Sequence, residues 1–369
     1  MLGNIRVRLG ERAYPVVVGV RASEKLGELL SVHGLNGLAC IVTQKPIWSL
    51  WGSRLSEALA RSGIPFRVYF PKTERNSEKN KSALELLKLV QFLAKEDGRG
   101  RPLVLVAFGG GVVGDLGGFA ASIYRRGIPC VQVPTTLTAQ VDSSIGGKTA
   151  VDLPQGKNLL GTVYQPRFVL MDTEFLRTLP LPLLQDGLAE VVKYAVIRDK
   201  GLLGFLEKNR EKILGSSLPH LQKIVAASVR IKASVVSRDE FDKKGVRIVL
   251  NFGHTLGHAI EAASGYGRYT HGQAVALGMM LALEISEALG VLKEPPLVRR
   301  IEQLLGDFGL PTLLERTVRV DAVLRAVGYD KKSFQGKNRF VLLERLNRTV
   351  VREGVPVEVI REQMLKRRM

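Results

Sequence analysis

Residues 103–118 read LVLVAFGGGVVGDLGG, and this stretch decides the fold of the first half of the chain. An apolar, β-branched run, typical of a buried strand, leads directly into a glycine-rich loop that opens a helical pattern. Gly109, Gly111 and Gly114 satisfy the G-x-G-x-x-G pattern, in which absent side chains let the backbone approach a pyrophosphate at a helix N-terminus. That pattern usually follows the first strand of a dinucleotide fold and precedes an acidic residue by about twenty positions, and neither holds in this chain. Dinucleotide binding and a plain strand–helix turn are therefore both open.

Outward from this loop, the first half of the chain alternates strand and helix patterns. Such alternation predicts a parallel sheet covered by helices on both faces. Strands are predicted over residues 5–9, 16–20, 38–42, 66–70, 103–107, 130–133 and 168–171, and helices over 45–62 and 77–95.

The second half has a different sequence pattern, in which apolar residues recur about every 3.6 residues, as is typical of helices. Pro180 and Pro182 oppose helix continuation and mark the boundary. We therefore predict an α/β domain over residues 1–179, followed by a mostly α-helical domain over 180–369. Helices are predicted over residues 183–199, 219–238, 246–264, 272–290 and 296–307, with a short strand pair at 339–343 and 349–352.

The composition is typical of a soluble globular protein of two domains. Of 369 residues, 45% are hydrophobic and only 6% are aromatic. Apolar windows of about 18 residues are absent and the N-terminus lacks a signal-peptide core, so we expect a cytoplasmic protein without a membrane span. Cys40 and Cys130 lie in apolar runs and are interpreted as buried, reduced thiols.

The net charge of +19 is the most unusual compositional feature. The basic residues are spread along the chain, with visible enrichment only from Lys331 to the tail at residues 366–368. Spread charge is typical of a solvated surface, so we expect no nucleic-acid function. Our hypothesis is that this charge attracts a multiply anionic substrate.

Three of the five histidines fall within the run from residue 251 to 271. In NFGHTLGH, His254 and His258 stand four residues apart, so a helix would place both rings on one face. Two imidazoles and one carboxylate would make an open catalytic zinc-type site. The alternative is that these are helix-surface or packed core histidines.

A second polar, glycine-bearing tract follows the glycine loop. It comprises VPTT at 133–136, VDSSIGGKT at 141–149 and GKN at 156–158. Small residues and lysines on flexible backbone suit contacts with phosphate and hydroxyl groups. A polar surface hairpin is the alternative interpretation.

Together these motifs resemble the 3-dehydroquinate synthase family of the shikimate pathway. The resemblance runs in order from about residue 78 to about residue 332, and also includes GTVYQP at 161–166, GLAEVVKY at 187–194, NFGHTLGHAIE at 251–261 and HGQAVALGM at 271–279. It implies a Rossmann-like NAD domain, a helical metal-binding domain, an active site in the cleft and a homodimer. The implied reaction converts DAHP, a seven-carbon sugar acid phosphate, to 3-dehydroquinate by transient NAD oxidation, phosphate elimination, re-reduction and intramolecular aldol closure. The family uses a divalent metal, usually zinc or cobalt.

The resemblance also implies a metal-ligand set, namely Glu190, His254 and His271. This set differs from the spacing argument, which pairs His254 with His258. Following the family pattern, His258 becomes a neighbouring active-site residue that contacts either the substrate or the water network on its phosphate side. Glu190 could otherwise be an exposed helical acid, but its setting in LAEVV suits a buried, paired carboxylate.

Further positions follow from the same resemblance. Two departures bear on NAD affinity, because Ser77 replaces a glycine of the family and Gln44 stands where an acidic or amide residue often meets the adenosine ribose. The positions implied to hold substrate are Arg126, Lys148, Asn158, Lys193, Lys232, Arg247, Asn251, His258 and one of Lys331 and Lys332. Those implied for NAD are Glu78, Lys81, Gly111, Val112, Val113, Gly114, Asp115, Thr135, Thr136, Asp142, Lys148, Lys157, Phe175, Leu176, Arg177 and Thr178.

Three rival functions share part of this pattern. A metal- and NAD-dependent polyol dehydrogenase of the glycerol-dehydrogenase type would leave Arg126 and Lys148 unexplained, because it has no phosphate to hold. Another sugar phosphate cyclase fits the GGKT and GKN forms less well. An inactive scaffold or nucleic-acid binder would not need Glu190, His254 and His271 together.

Overall fold

The computed structural model describes residues 3–71, 78, 81–98, 100–265, 267–331 and 338–369, without the side chains of 329–331. Its contacts divide the chain into two compact units, each described by itself. The first unit is Met1–Pro180 with Leu218–Phe241, and the second is Leu181–Ser217 with Asp242–Met369. The division predicted from the sequence, into 1–179 and 180–369, has its boundary beside the same Pro180. It differs in assigning residues 218–241 to the second part, whereas the structure groups them with the first unit.

Strands are concentrated before the prolines at 180 and 182, and helices after them. In chain order, the strands are β1 (Gly3–Val7), β2 (Tyr14–Gly19), β3 (Leu38–Val42), β4 (Phe66–Tyr69), β5 (Leu103–Gly109), β6 (Cys130–Pro134), β7 (Lys148–Leu153), β8 (Gly156–Val163), β9 (Phe168–Asp172), β10 (Arg339–Arg345) and β11 (Arg348–Glu353). The α-helices are α1 (Leu26–Val32), α2 (Lys45–Arg61), α3 (Ala83–Asp97), α4 (Gly111–Ile123), α5 (Leu181–Arg198), α6 (Lys200–Leu214), α7 (Leu218–Val236), α8 (His254–Ala263), α9 (His271–Ala288), α10 (Pro296–Asp307), α11 (Val320–Lys331) and α12 (Val357–Lys366).

The first unit is built on a seven-stranded sheet in the order β1-β2-β9-β6-β5-β3-β4. β1 and β2 pair antiparallel, and the remaining neighbours pair parallel. Strand β5 shows why both faces are covered: Val104, Val106 and Phe108 enter one core cluster, with residues of α1 and α2. Its alternate residues, Leu105 among them, enter a second cluster with α3 and α4. The predicted helix-covered parallel sheet is confirmed.

The second unit is mostly helical, as predicted. Its core gathers apolar residues from α8, α9, α11 and α12, such as Leu256, Leu277 and Ile360, around the β10–β11 hairpin. Leu342 of that hairpin is fully buried against them. Among the residues described, every helix falls short of the length and apolarity that a bilayer crossing requires.

Individual elements differ from expectation in instructive ways. A polar surface hairpin was the alternative interpretation of the tract from 133 to 158, and its later part, from Lys148 onward, does form the antiparallel pair β7–β8. The predicted helix over 246–264 is wrong in its first part, because residues Arg247–Asn251 form a 3-10 turn and α8 begins only at His254. Helices α1, α6, α11 and α12 were not predicted. Cys40 and Cys130 are free and buried, as expected.

Candidate active site

Three potential metal ligands meet in the second unit. Glu190 lies on α5 and is fully buried, while His254 and His271 are the first residues of α8 and α9. The Nε2 atoms of His254 and His271 lie 3.3 and 3.2 Å from Glu190 Oε1. One ligand atom from each residue lies within 4.8 Å of the others. The set implied by the resemblance is therefore brought together in space.

The backbone around Gly253 explains why His254 occupies this position. Gly253 has φ +80°, a left-handed conformation that a side chain disfavours, so the chain turns sharply there and a new helix starts at His254. At the other ligand, a capping box between Thr270 and Gln273 fixes the first turn of α9 at His271. Each histidine is thus held by the start of a well-defined helix.

Close contact between helices brings the ligands together. A Cβ added at Gly278 of α9 would lie 1.9 Å from the carbonyl oxygen of Gly253, ahead of α8. A Cβ at Gly272 would lie 2.1 Å from the carbonyl oxygen of Asp186 on α5. The amide of Gly272 also donates to Asp186 Oδ1 at 2.6 Å. Only glycine at these positions allows α8, α9 and α5 to approach this closely.

The electrostatics of the site favour an ionised Glu190. Burial opposes its ionisation, but the ammonium of Lys193, in ion-pair contact, and the imidazoles of His254 and His271 outweigh burial and hold the pKa of Glu190 well below its usual value. Burial and the nearby Lys193 charge lower the pKa of His254. Burial alone would lower the pKa of His271 too, but hydrogen bonds to Glu190 and Glu261 raise it to about 10. Coordination of a cation by His271 therefore has to displace a proton.

The donor set fits a divalent transition metal. Two imidazole nitrogens and one carboxylate make a three-ligand site of the catalytic type, which keeps further positions open. Within the described part of the chain, the buried Glu190 Oε2 makes no hydrogen bond of good geometry, although Lys193 forms an ion pair with it. The side chain of His271 is 35% exposed, so the site is accessible from that side.

Two further side chains adjoin this cluster. The ring of His258 lies 5.3 Å from that of His254 and 6.0 Å from that of His271, centroid to centroid. Sequence reasoning did not single out Glu261, whose Oε2 lies 3.6 Å from His271 Nδ1. Its spacing from His254 and His258, seven and three residues, places all three on one helix face and was the available signal.

The remaining residues predicted for this unit lie on nearby elements. Lys193 is one turn after Glu190 on α5 and is 1% exposed. Arg247 is buried in the 3-10 turn that precedes α8, and Asn251 ends that turn exposed. Lys332 lies outside the described residues, as does the side chain of Lys331.

In the first unit, several positions considered for NAD lie where parallel strands end. Gly111 follows β5, Thr135 follows β6, and Gln44 follows β3, so all three are at the carboxyl edge of the sheet. The Thr135 amide donates to the carbonyl of Gly109 at 2.9 Å and joins two of these loops. The carboxyl edge of a parallel sheet is where α/β folds bind nucleotides.

The glycine loop itself has both a binding and a packing aspect. α4 starts at Gly111, and the first amides of a helix lack intrahelical acceptors and can bind an anion. A Cβ at Gly114 would lie 2.8 Å from Gln132 Oε1, so this glycine serves close helix–sheet packing. Val113 is buried in the core, while Val112 is partly exposed.

Lys81 is the centre of a charged cluster beside this loop. Its ammonium lies 2.9 Å from both Glu78 Oε1 and Asp115 Oδ2, and it donates to Asn158 Oδ1 at 2.5 Å. Asp152 Oδ1 lies 3.9 Å from the Lys81 ammonium and accepts a hydrogen bond from the backbone amide of Asn158 at 2.7 Å. Lys81 is only 3% exposed, so these partners compensate its buried charge. Ser77, beside Glu78, lies outside the described residues.

Asp142 and Lys232 form a second predicted pair in this unit. Lys232, on α7, donates to Asp142 Oδ1 at 2.6 Å and to the Asp142 carbonyl at 2.7 Å. This contact explains why α7 belongs with the first unit. Thr136 caps the turn that carries Asp142, since its hydroxyl accepts from the Ala139 amide at 3.3 Å.

The other predicted residues of the first unit are more scattered. Lys148 opens β7 and is exposed, as is Arg126, while Lys157 is partly exposed in β8. Residues 175–178 lie in a 3-10 helix, in which the Phe175 and Leu176 side chains are buried. Only the backbone atoms of these two residues are therefore available to contact a ligand. Arg177 and Thr178 of the same turn are more accessible.

Comparison with known proteins gives a consistent family. A family model described as 3-dehydroquinate synthase N-terminal matches residues 72–186, and one described as 3-dehydroquinate synthase C-terminal matches residues 187–333. A 3-dehydroquinate synthase from Pelotomaculum thermopropionicum is 42% identical over 352 residues, which cover 95% of this chain and 93% of that relative.

Solved structures of similar fold include two sugar phosphate cyclases. The 2-epi-5-epi-valiolone synthase of Streptomyces hygroscopicus, with NAD+ and Zn2+ bound, superposes with a TM-score of 0.84 at 27% identity, covering 96% of both chains. A 2-deoxy-scyllo-inosose synthase, complexed with carbaglucose-6-phosphate, NAD+ and Co2+, gives 0.85 at 26% identity, covering 99% of both. Both similarities extend over nearly the whole chain.

Proposed function

Because this chain belongs to the 3-dehydroquinate synthase family and is therefore an enzyme, we propose that it is a carbon–oxygen lyase dependent on NAD and a divalent metal. Its substrate is DAHP, from which it eliminates phosphate and closes 3-dehydroquinate. The observation that carries this proposal is the meeting of Glu190, His254 and His271 around one point in the second unit. The family match favours this function over a polyol dehydrogenase.

The metal is held by Glu190, His254 and His271, and zinc or cobalt suits these ligands. Support comes from two solved cyclases of the same fold, one with Zn2+ and one with Co2+. When bound, the ion supplies a Lewis acid for substrate hydroxyls, and NAD supplies reversible hydride transfer. Lys193 keeps Glu190 ionised and thus ready to bind a cation.

The loops at the carboxyl edge of the sheet would hold NAD, and the start of α4 would bind its pyrophosphate. Support comes from the glycine loop at residues 109–114 and from the two NAD-bound cyclases. Lys81 holds Asp115 and Glu78 in place beside that loop. Asp142 is fixed by Lys232 in the same unit.

The substrate carries a phosphate and a carboxylate, and basic and amide side chains of this chain would hold them. These side chains bind the anionic groups and orient the reacting carbon atoms, which is the main task of the protein in an elimination followed by ring closure. The exposed His258, beside His254, is placed to hold or move a proton at the substrate. The side chains in question are Arg126, Lys148, Asn158, Lys193, Lys232, Arg247 and Asn251.

We further propose that the enzyme works as a cytoplasmic homodimer whose partner is the small molecule DAHP, without a nucleic-acid or membrane partner. The two buried, free cysteines support a reducing compartment.

The test is release of inorganic phosphate from DAHP by purified enzyme with catalytic NAD, before and after removal of metal with EDTA. We expect stoichiometric 3-dehydroquinate, loss of release with EDTA and recovery with zinc or cobalt. Glu190→Gln should lower kcat/KM at least about 100-fold, because it removes a charged ligand. Glu211→Gln, at an exposed position of α6, is the matched control and should match the wild type. Release that persists in EDTA, or a preference for other sugar phosphates, would contradict the proposal.

A further inference from the structure

Two possible metal-ligand groups overlap at His271. The first is Glu190, His254 and His271, and the second is His258, Glu261 and His271. Both contain ligand atoms within 4.8 Å of one another, so proximity alone does not say what Glu261 does.

The two histidines of the first group have parallel surroundings. His254 directs Nε2 to Glu190 and Nδ1 to the carbonyl oxygen of Phe252, at 3.2 Å. His271 likewise directs Nε2 to Glu190, while its Nδ1 faces Glu261 Oε2 at 3.6 Å. Each ring therefore has Glu190 on one side and an oxygen acceptor on the other.

We propose that Glu261 is a positioning residue for His271. Its carboxylate accepts a hydrogen bond from the Nδ1–H group of His271, which leaves Nε2 free of a proton as the metal ligand. This inference rests on the proposed function, because it presupposes a divalent ion at Glu190, His254 and His271. Glu261 then acts through His271 and is not itself a ligand of a second ion.

Ring chemistry favours this role over a second metal site. A neutral imidazole has one lone pair for a metal and one N–H, so binding through both nitrogens would require the loss of both protons of His271. A buried carboxylate also needs a hydrogen-bond donor, and Glu261 is only 5% exposed. The Nδ1 proton of His271 supplies such a donor, as in the carboxylate–histidine pairs of known metal sites.

The placement of Glu261 on α8 strengthens the argument. The same helix carries His254 at its first residue and Glu261 two turns later, on the same face. Close packing of α8 on α9, allowed by Gly257 and Gly278, fixes the carboxylate relative to His271. One rigid helix thus supplies one ligand and orients the other.

The experiment measures metal binding to the metal-free full chain, without substrate. Zn2+ affinity is obtained by competition with a chelator, and Co2+ stoichiometry and ligand field from visible absorption. We expect one Co2+ per chain for the wild type. For Glu261→Ala we expect a Zn2+ affinity about 10- to 100-fold weaker than that of the wild type. Glu261→Gln should be intermediate, because its amide oxygen still accepts the bond but lacks the charge.

Glu284→Gln is the matched control. Glu284 is a partly buried carboxylate on α9, paired with Arg367 at 2.7 Å through Oε1, and this pair is separate from the histidine cluster. The variant should lose thermal stability while retaining the metal affinity and Co2+ spectrum of the wild type. A general loss of stability is thereby separated from a change at His271.

Several outcomes would overturn the inference. Two Co2+ ions per chain in the wild type and one in Glu261→Ala would make Glu261 a ligand. Unchanged affinity in both Glu261 variants, or equal loss in Glu284→Gln, would remove the positioning role while leaving the proposed function intact. A wild-type chain that binds neither Zn2+ nor Co2+ would refute the metal site itself, and with it the proposed function.

Discussion

The ion pair between Lys193 and Glu190 yields the sharpest prediction about stability. Both side chains are buried on adjacent turns of α5, with Glu190 fully inaccessible to solvent. Lys193→Met keeps the length and apolar stem of the side chain but removes its charge. In metal-free protein, Glu190 then keeps its negative charge in a buried setting with fewer compensating groups.

The expected loss can be bounded from the surroundings. Removing one partner of a buried ion pair costs about 3–5 kcal/mol. His271 partly replaces the lost charge, because its pKa of about 10 keeps it protonated at neutral pH and its Nε2 lies 3.2 Å from Glu190. We therefore expect the low end, about 3 kcal/mol, which corresponds to a fall in Tm of about 6–12 °C for a domain of this size.

Added zinc should reverse much of this loss, since a cation at Glu190 supplies the missing positive charge. The assay is calorimetric unfolding of wild type and Lys193→Met, each in EDTA and in excess zinc. Lys212→Met, at an exposed position of α6, is the control and should stay within about 0.5 kcal/mol of the wild type. A variant as stable as the wild type in EDTA would refute the charge-compensation argument, as would an equal zinc-induced rise in Tm in both proteins.

Three further predictions concern packing, thiols and charge. Gly278→Ala should destabilise the chain by about 1–3 kcal/mol and weaken Co2+ binding, because its Cβ would lie 1.9 Å from the carbonyl oxygen of Gly253. Calorimetry measures the stability and titration measures the Co2+ affinity. Wild-type values in both assays would contradict this prediction. Burial raises the pKa of Cys40 and of Cys130 to about 12, so both thiols should react slowly with a disulfide reagent at about pH 9 until the chain is unfolded, and fast labelling of native protein would be inconsistent with this. If the charge of +19 attracts DAHP, kcat/KM should fall several-fold between about 0.01 and 1 M salt, and an insensitive kcat/KM would end that hypothesis.

The sequence predicted the elements whose pattern is local. For β3 and α10, the predicted first and last residues are those of the structure. The ends of an uninterrupted apolar run and of a strongly amphipathic helix are visible in the local sequence pattern. The helix predicted over 246–264 failed for a non-local reason. Its apolar period continues through Gly253, but the tight contact between Gly253 and Gly278 of α9 forces a turn that no local pattern shows.

The site was predictable only in part, for a related reason. The motif resemblance names Glu190, His254 and His271, but spacing alone pairs His254 with His258, because it considers one helix at a time. Geometry between helices, such as the approach of Glu261 to His271, requires the packing of α8 on α9. The grouping of α7 with the first unit is likewise set by contacts such as Lys232–Asp142, which are remote in sequence.

The positions of the two candidate histidine ligands bear on the charge each ring carries. His254 and His271 are each the first residue of a helix, where the helix dipole disfavours a positive imidazolium and favours the neutral ring that binds a metal. At His271 the nearby carboxylates outweigh this effect and hold a proton that a cation must displace. Glu190 would supply the negative charge for a bound cation, and in the metal-free chain Lys193 compensates that charge. The residues that make the site costly to bury would therefore suit a cation that replaces the His271 proton and pairs with Glu190.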